Sequence, residues 1–304
     1  MSPTPVVAPY VPTYANYTPY VSAVEVFNWP VGADVSQLVV GGNTPANNAA
    51  LTEILLEASA EADSICKKVL AATLDVEADE YRIWRDGTIH VPVKYAPLLS
   101  VNAVSIGTAA GQLTPLADLS GIWPGTKVVR IPVPTFPPVN FMTAPSTPTI
   151  ARPDHVFAQV TYVNGWAYTT LAAPAAQNAQ QLTPVNVLGI VPGLTMTLRD
   201  GPNTEVVTVS PTYVMGSATV PLTAPLQFAH VAGTTLSAMP PAVKLAVINL
   251  AKWIVKGRGS KAVVMDSVQP NVSMRPKKTQ TSDPGGDPDY QAAKRTLLRL
   301  KRAR

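Results

Sequence analysis

A block of β-type sequence separates a strand from a helix in this chain of 304 residues. Residues 161–166, Thr-Tyr-Val-Asn-Gly-Trp, have the alternating pattern and the Asn-Gly end of a strand. Residues 240–259 open with two prolines and continue with apolar side chains at helical spacing, which predicts a capped helix. Residues 181–239, which lie between this strand and this helix, are predicted to form an inserted domain. The remaining core, residues 18–170 and 240–259, is expected to be discontinuous.

The inserted block is expected to be a small all-β barrel or sandwich. Short runs of alternating apolar and polar residues, separated by glycine- and proline-containing turns, are typical of such folds. These runs cover residues 194–198, 205–209, 218–222 and 234–236. Proline accounts for 31 of the 304 residues, about twice the usual ~5%. Because proline breaks helices and lacks a backbone donor, this content favours loops, turns and short strands.

Cap signals predict two helices at the beginning of the core. Thr18-Pro19 predicts a short helix that ends before Pro30, and Thr44-Pro45 predicts a longer helix that ends near Ala72. Apolar side chains at helical spacing mark the face of the longer helix that is expected to pack inward. They are Leu51, Ile54, Leu55, Ala58, Ala62, Ile65 and Val69.

A β element is predicted to follow the long helix. Residues 81–85 and 88–93 flank Asp86-Gly87, which predicts a hairpin with a tight turn and positive φ at both central residues. Residues 97–106 and 157–163 alternate in the same way and are expected to complete a sheet. The fold class is therefore α+β: a helical core with a short β-hairpin and sheet element, an inserted all-β domain and extended terminal arms.

Charge is distributed unevenly along the chain. Residues 241–304 contain 14 lysines and arginines and 4 acidic residues, a net charge of +10, whereas residues 1–240 have a net charge of −6. Residues 1–17 are expected to be an extended arm, residues 260–286 an extended linker, and residues 287–304 a basic amphipathic helix. A basic tail on an acidic body indicates an anionic partner or, alternatively, a solvated and solubilising tail.

The C-terminal helix contains the candidate docking residues of the chain. They are Tyr290, Ala293, Lys294, Arg295, Leu297, Leu298, Arg299, Leu300 and Arg302. Its positive charge would suit a DNA backbone, since phosphate contacts require only cations. Its apolar face would equally suit a groove on a partner protein, and the basic residues alone do not separate these two uses.

Catalytic and metal-binding patterns are not found in the sequence. There is no phosphate loop, no nucleophile elbow and no dinucleotide fingerprint. Cys66 is expected to be a buried structural thiol, and His90, His155 and His230 are expected to be surface or packing residues. We therefore expect no enzymatic activity, no cofactor, no metal site and no disulfide.

Membrane and export signals are not found either. The chain has no apolar run long enough for a membrane span. Residues 1–5 lack the pattern of a signal peptide, so a reducing compartment is expected.

The order of the predicted elements resembles that of the head-tail connector, or adaptor, proteins of tailed bacteriophages. The similarity covers residues 43–106 and 157–259. It consists of the long helix, Trp-Arg-Asp-Gly at 84–87, Pro-Leu-Leu-Ser-Val-Asn-Ala-Val-Ser-Ile at 97–106, Gln-Val-Thr-Tyr-Val-Asn-Gly-Trp at 159–166 and the helix that begins at residue 240. The N-terminal arm and the 181–239 block are additions to the minimal family pattern.

This resemblance implies a structural virion protein at the head-tail neck, assembled in the host cytoplasm. Family members form a ring, commonly of twelve subunits, under the portal. The ring extends the DNA channel, through which genomic DNA passes without sequence recognition, and it receives the stopper or tail completion protein. The resemblance also implies that residues 288–304 dock against the portal, and it implies no membrane partner.

Two other functions stay open at the level of sequence. The chain could be a DNA-binding or packaging accessory protein that uses the basic C-terminal tail. Alternatively, it could be an adhesion module whose 181–239 block binds a glycan.

Overall fold

The computed structural model describes residues 18–27, 38–39, 43–125, 127–133, 154–257 and 287–300. The predicted arm over 1–17, the predicted linker over 260–286 and Arg302 lie outside these residues. Helices are α1 Ala23–Phe27, α2 Thr44–Cys66, α3 Pro241–Gly257 and α4 Pro288–Leu298. Strands are β1 Thr73–Arg82, β2 Thr88–Pro92, β3 Leu98–Ala109, β4 Gln112–Pro115, β5 Trp123–Pro124, β6 Val128–Pro132, β7 His155–Asn164, β8 Tyr168–Thr170, β9 Gln181–Leu182, β10 Thr195–Arg199, β11 Glu205–Thr208, β12 Val220–Pro221 and β13 Thr235–Ser237.

The largest sheet is antiparallel, with the strand order β1-β7-β3-β4. β1 and β7 pair along ten residues, from Thr73 opposite Asn164 to Arg82 opposite His155. Alternate residues of β7 are buried, so that one face of the sheet forms a core. β7 ends at Asn164 and is followed by Gly165, whose φ of +93° is readily adopted by glycine. The strand and the end predicted around Asn-Gly are confirmed.

A smaller antiparallel sheet has the order β2-β6-β5. Ile89, Val91, Val129 and Ile131 are fully buried and share a core with the larger sheet. The predicted hairpin between residues 81–85 and 88–93 is present only as a short turn, with an antiparallel Ile83–Ile89 bridge and a Trp84 N–H that donates to the Thr88 carbonyl at 2.8 Å. The main partner of β2 is β6.

The turn that precedes β2 also differs from the predicted primed turn. The Gly87 N–H donates to the Trp84 carbonyl at 2.9 Å, and the φ of Gly87 is +76°. Asp86 does not adopt positive φ. Its carboxylate instead accepts hydrogen bonds from the Thr88 N–H and hydroxyl, at 3.0 and 2.7 Å. This Asx-type hydrogen bonding explains an aspartate in the turn without a left-handed conformation.

Helices α2, α3 and α4 pack together around a second core, against which α1 also lies. α2 begins after Asn43, whose side chain accepts the Ala46 N–H at 3.1 Å. It ends at Cys66, short of the predicted Ala72, because Lys67 adopts the left-handed conformation with φ 55°. The predicted inward face is buried from Leu51 to Ala62, whereas Ile65 and Val69 are only partly buried.

Helix α1 is shorter than the predicted helix after Thr18-Pro19. Ser22 and Glu25 form a capping box: the Glu25 N–H donates to the Ser22 hydroxyl at 3.2 Å, and the Ser22 N–H donates to the Glu25 carboxylate at 2.9 Å. Helix α1 therefore begins at Ala23. Phe27, the last residue of this helix, is more than half exposed.

The inserted β strands form a third core. Their main sheet has the order β11-β10-β13-β8, and β9 pairs with β12 beside it. β8 precedes the expected boundary at Gln181, yet it pairs with β13. The Ala238 N–H donates to the Ala167 carbonyl at 2.8 Å, so the chain enters and leaves this module at adjacent points. We call residues 167–238 the β module.

Candidate interaction surface

The small sheet aligns aromatic and cationic side chains across its strands. His90 of β2 lies opposite Arg130 of β6, and Arg130 lies opposite Trp123 of β5. Because residues directly opposite each other share a face, these three side chains form a row. The Trp84 ring stacks on His90, with centroids 4.8 Å apart and an interplanar angle of 22°. We call Trp84, His90, Arg130 and Trp123 the aromatic–cationic row.

Strand alternation explains why the row faces outward. Ile89, Val91, Val129 and Ile131, the neighbours of His90 and Arg130 along β2 and β6, are fully buried on the opposite face. His90 and Arg130 therefore lie on the outer face, where Arg130 is exposed and His90 is partly covered by the Trp84 ring. Burial of the aliphatic face thus fixes the position of the row.

Both tryptophans of the row are unusually exposed, Trp84 at 55% and Trp123 at 61%. An open cleft of about 380 Å³ extends from Trp123 towards the next turn. It is lined by Trp123, Pro124, Gly125, Lys127, Val128 and Arg130. At this turn the Gly125 N–H donates to the Val128 carbonyl at 2.9 Å, and a Cβ on Gly125 would lie 2.8 Å from that oxygen.

The composition of the row suits recognition of a partner. Tryptophan and arginine are the residue types that dominate binding energy at protein interfaces. Arg130 and Lys127 can bind carboxylate or phosphate oxygens, and the tryptophan faces can pack against apolar groups. In the sequence, Trp84 and Trp123 lie on separate elements, and no local pattern links them to Arg130. Only the pairing of β6 with both β2 and β5 brings the row together.

Three of the nine predicted docking residues are buried inside the chain itself. Tyr290, Ala293 and Leu297 are buried against α2 and α3. The ring of Tyr290 lies 4.8 Å from that of Trp253, and the Cys66 thiol donates to the Leu297 carbonyl at 3.4 Å. These three side chains are therefore unavailable to a portal in this conformation.

The other predicted residues of α4 lie towards solvent. Arg295, Leu298 and Arg299 are exposed, and Leu300 is partly buried. The Lys294 ammonium lies 5.8 Å from the centroid of the Tyr290 ring. The open face is therefore mainly cationic and includes one exposed leucine, Leu298.

A buried ionic cluster connects α1, α3 and the β module. The Lys244 ammonium donates to the Glu25 carboxylate at 2.7 Å, and Arg199 of β10 contacts the same oxygen at 3.0 Å. Burial lowers the pKa of Lys244 from its ordinary value, although Glu25 opposes the shift. The Tyr168 hydroxyl donates to the Pro19 carbonyl beside this cluster. These contacts hold residues 19–25 against the β module and against α3, the helix that follows it.

A second polar cluster lies inside the β module. The Glu205 carboxylate accepts the N–H groups of Gln227 and Phe228 at 2.9 and 3.1 Å, and it contacts the His230 ring at 2.8 Å. Burial acts to raise the pKa of Glu205, but these hydrogen bonds and His230 outweigh it and hold the pKa below its usual value. Asp200 lies 3.4 Å from the other ring nitrogen of His230. The cluster pins the 227–230 loop to β11.

The remaining candidate residues have structural surroundings. Cys66 is fully buried, as predicted, and burial raises its pKa to about 11. Among the described residues, no group of three or more His, Cys, Asp or Glu side chains is arranged to hold a metal ion. Within the same residues, no helix combines the length and the apolar character required to cross a membrane.

No protein-family model matches the chain, and no curated protein matches it. Among solved structures, a chain of the virion of a native gene transfer agent (GTA) particle is similar, with 16% identity and a TM-score of 0.33. A chain from the neck of an empty GTA particle is similar with 17% identity and a TM-score of 0.33. Each similarity covers 93% of this chain and 94% of the other.

Proposed function

We propose that the chain is a structural virion protein, a head-to-tail adaptor. It forms a ring between the portal and the stopper or tail completion protein and extends the DNA channel. The observation that carries this proposal is the exposed aromatic–cationic row, because its residue types are those of protein interfaces. The role is geometric and involves no chemical step.

The sequence resemblance to head-tail connectors supports the same role. The similar segments, residues 43–106 and 157–259, contain α2, α3 and β1, together with most of β3 and β7. The same resemblance suggests a ring of twelve, located in the virion neck and assembled in the host cytoplasm. Genomic DNA would pass through the ring without sequence recognition.

The portal contact is assigned to the solvent face of α4. Arg295, Leu298 and Arg299 are exposed there, whereas the buried face of α4 already packs in the helical core. A cationic face of this kind suits an acidic groove, and a charged interface of this type associates faster at low salt. The stopper would bind the opposite end of the ring.

Co-assembly with the portal is the test of the proposed function. Purified chain mixed with a portal ring should form a second ring on it in electron micrographs. A Trp123→Ala variant should lose this assembly, and Val214→Ala, which removes another exposed apolar side chain, should retain it. Absence of any ring on the portal with the unaltered chain contradicts the proposal.

DNA binding by the C-terminal helix is the alternative function, favoured by the exposed Arg295 and Arg299. It predicts retardation of duplex DNA that weakens steeply as salt increases. An Arg295→Glu/Arg299→Glu variant should then lose retardation without losing its fold. A chain that binds duplex in this way but never assembles on a portal supports the alternative over the adaptor.

A further inference from the structure

An exposed face of α2 has the charge opposite to that of the aromatic–cationic row. Glu53 and Glu57 lie one turn apart on this face, and both are exposed. Ala49, Ala60 and Ser64 continue the same exposed face along the helix. Small side chains beside two carboxylates leave room for a large aromatic side chain to approach the helix. We call these five residues the acidic α2 face.

The cations near the row are open to an external carboxylate. Within the described residues, neither Lys127 nor Arg130 forms an ion pair with an acidic side chain. Lys127 lines the cleft beside Trp123, and Arg130 lies between Trp123 and His90 in the row. Two cations flanked by two tryptophans are opposite in charge to two carboxylates flanked by small residues.

These two surfaces lie on different parts of one chain. The acidic α2 face is the outer side of a helix that lines the helical core, whereas the row is the outer side of strands that line the sheet core. Both surfaces are exposed in the same chain, so they do not cover each other within it. A contact between them therefore requires two copies.

We propose that the aromatic–cationic row of one copy binds the acidic α2 face of the next copy. Because the two surfaces differ, the contact is head to tail and repeats around an axis, and it produces a closed ring when the rotation closes. Arg130 and Lys127 pair with Glu53 and Glu57. Trp123 packs over the small residues of α2. This inference rests on the proposed ring and names the surfaces that build it.

Paired charge reversals provide the test. Lys127→Glu/Arg130→Glu makes the row acidic, and Glu53→Lys/Glu57→Lys makes the α2 face basic. Each variant alone should require at least about a tenfold higher concentration to form rings, because like charges then meet at every contact. An equal mixture should recover ring formation, because each junction of an alternating ring pairs opposite charges. Mass photometry, alone and with the portal, measures both effects.

The outcomes distinguish this inference from the proposed function. Single variants that form rings as readily as the unaltered chain overturn the inference and leave the adaptor role intact. Failure of the mixture to recover rings also overturns it. An unaltered chain that stays monomeric with and without the portal contradicts both. The Lys127→Glu/Arg130→Glu variant can also be tested for binding of a single-stranded oligonucleotide. If it still forms rings but no longer binds the oligonucleotide, the row is a nucleic-acid surface instead.

Cross-linking provides an independent measurement. The native Cys66 is fully buried, so introduced surface cysteines react selectively. A mixture of Ala60→Cys and Val128→Cys chains, treated with a short bis-maleimide, should give covalent dimers that contain one chain of each kind. A matched mixture of Ala60→Cys with Val214→Cys, on the β module, should not. Equal yields from the two mixtures overturn the inference.

Discussion

Glu25 compensates two cations that the fold removes from water. Glu25→Ala would leave the buried Lys244 without its carboxylate, and loss of one partner of a buried pair costs about 3–5 kcal/mol. We expect a loss of that size in the free energy of unfolding, measured by urea titration. Glu53 is exposed, so Glu53→Ala should change the free energy of unfolding by less than about 0.5 kcal/mol. A Glu25→Leu/Lys244→Met double variant that is no more stable than Glu25→Ala would contradict this account.

Glu205 makes the stability of the β module dependent on pH. Its pKa is lower in the folded protein than its ordinary value of 4.5, so its contribution is complete above that value. The contribution is lost as pH falls through the lower, folded-state pKa. Thermal unfolding from pH 7 to pH 3 should therefore show a steeper loss of stability in the unaltered chain than in Glu205→Gln. Parallel profiles for the two proteins would contradict the assignment.

At the scale of elements, adjacent leucines of α4 test where this helix belongs. Leu297 is fully buried in the helical core, whereas Leu298 is 43% exposed. Leu297→Ala should lower the free energy of unfolding by about 2–5 kcal/mol. Leu298→Ala should change it by less than about 0.5 kcal/mol but should weaken portal binding. Equal stability losses would show that α4 does not pack in the isolated chain as described.

Local signals predicted the long elements, because their causes lie within a few residues. Caps and apolar spacing located α2, α3 and α4, and alternation located β7. Pairing between distant strands has no such local cause. The alternation of residues 88–93 correctly predicts a strand, but its partner β6 lies about 40 residues further on. The row, which depends on that pairing, was therefore not predictable.

The end of α2 and the entry to the β module show the same limit. Lys67 ends α2 through a left-handed backbone that the sequence Cys-Lys-Lys does not signal. β8 was assigned to the core because it follows the end of β7 closely in sequence. β8 pairs with β13, which begins 67 residues after the start of β8. Only the folded chain shows this pairing.

At the scale of the whole molecule, the β module is attached at one narrow point. Tyr168 lies opposite Ser237, so removal of residues 170–236 with a short glycine–serine linker should leave the helical core folded. We expect cooperative unfolding and a helical circular dichroism spectrum. Removal of 181–239 should be more damaging, because it deletes the core residue Met239 and leaves β8 unpaired. If the 170–236 deletion unfolds the helical core and the 181–239 deletion does not, this division of the chain is wrong.

The mass of the particle formed with the portal decides whether the chain assembles as a closed ring. Native mass spectrometry of portal rings, with and without the chain, gives the number of added 32.1 kDa subunits. We expect each portal ring to gain one complete ring of the chain, twelve copies by family resemblance. No partially filled species should remain at saturation. Portal rings that gain one or a few copies in a graded series, or none, would contradict it.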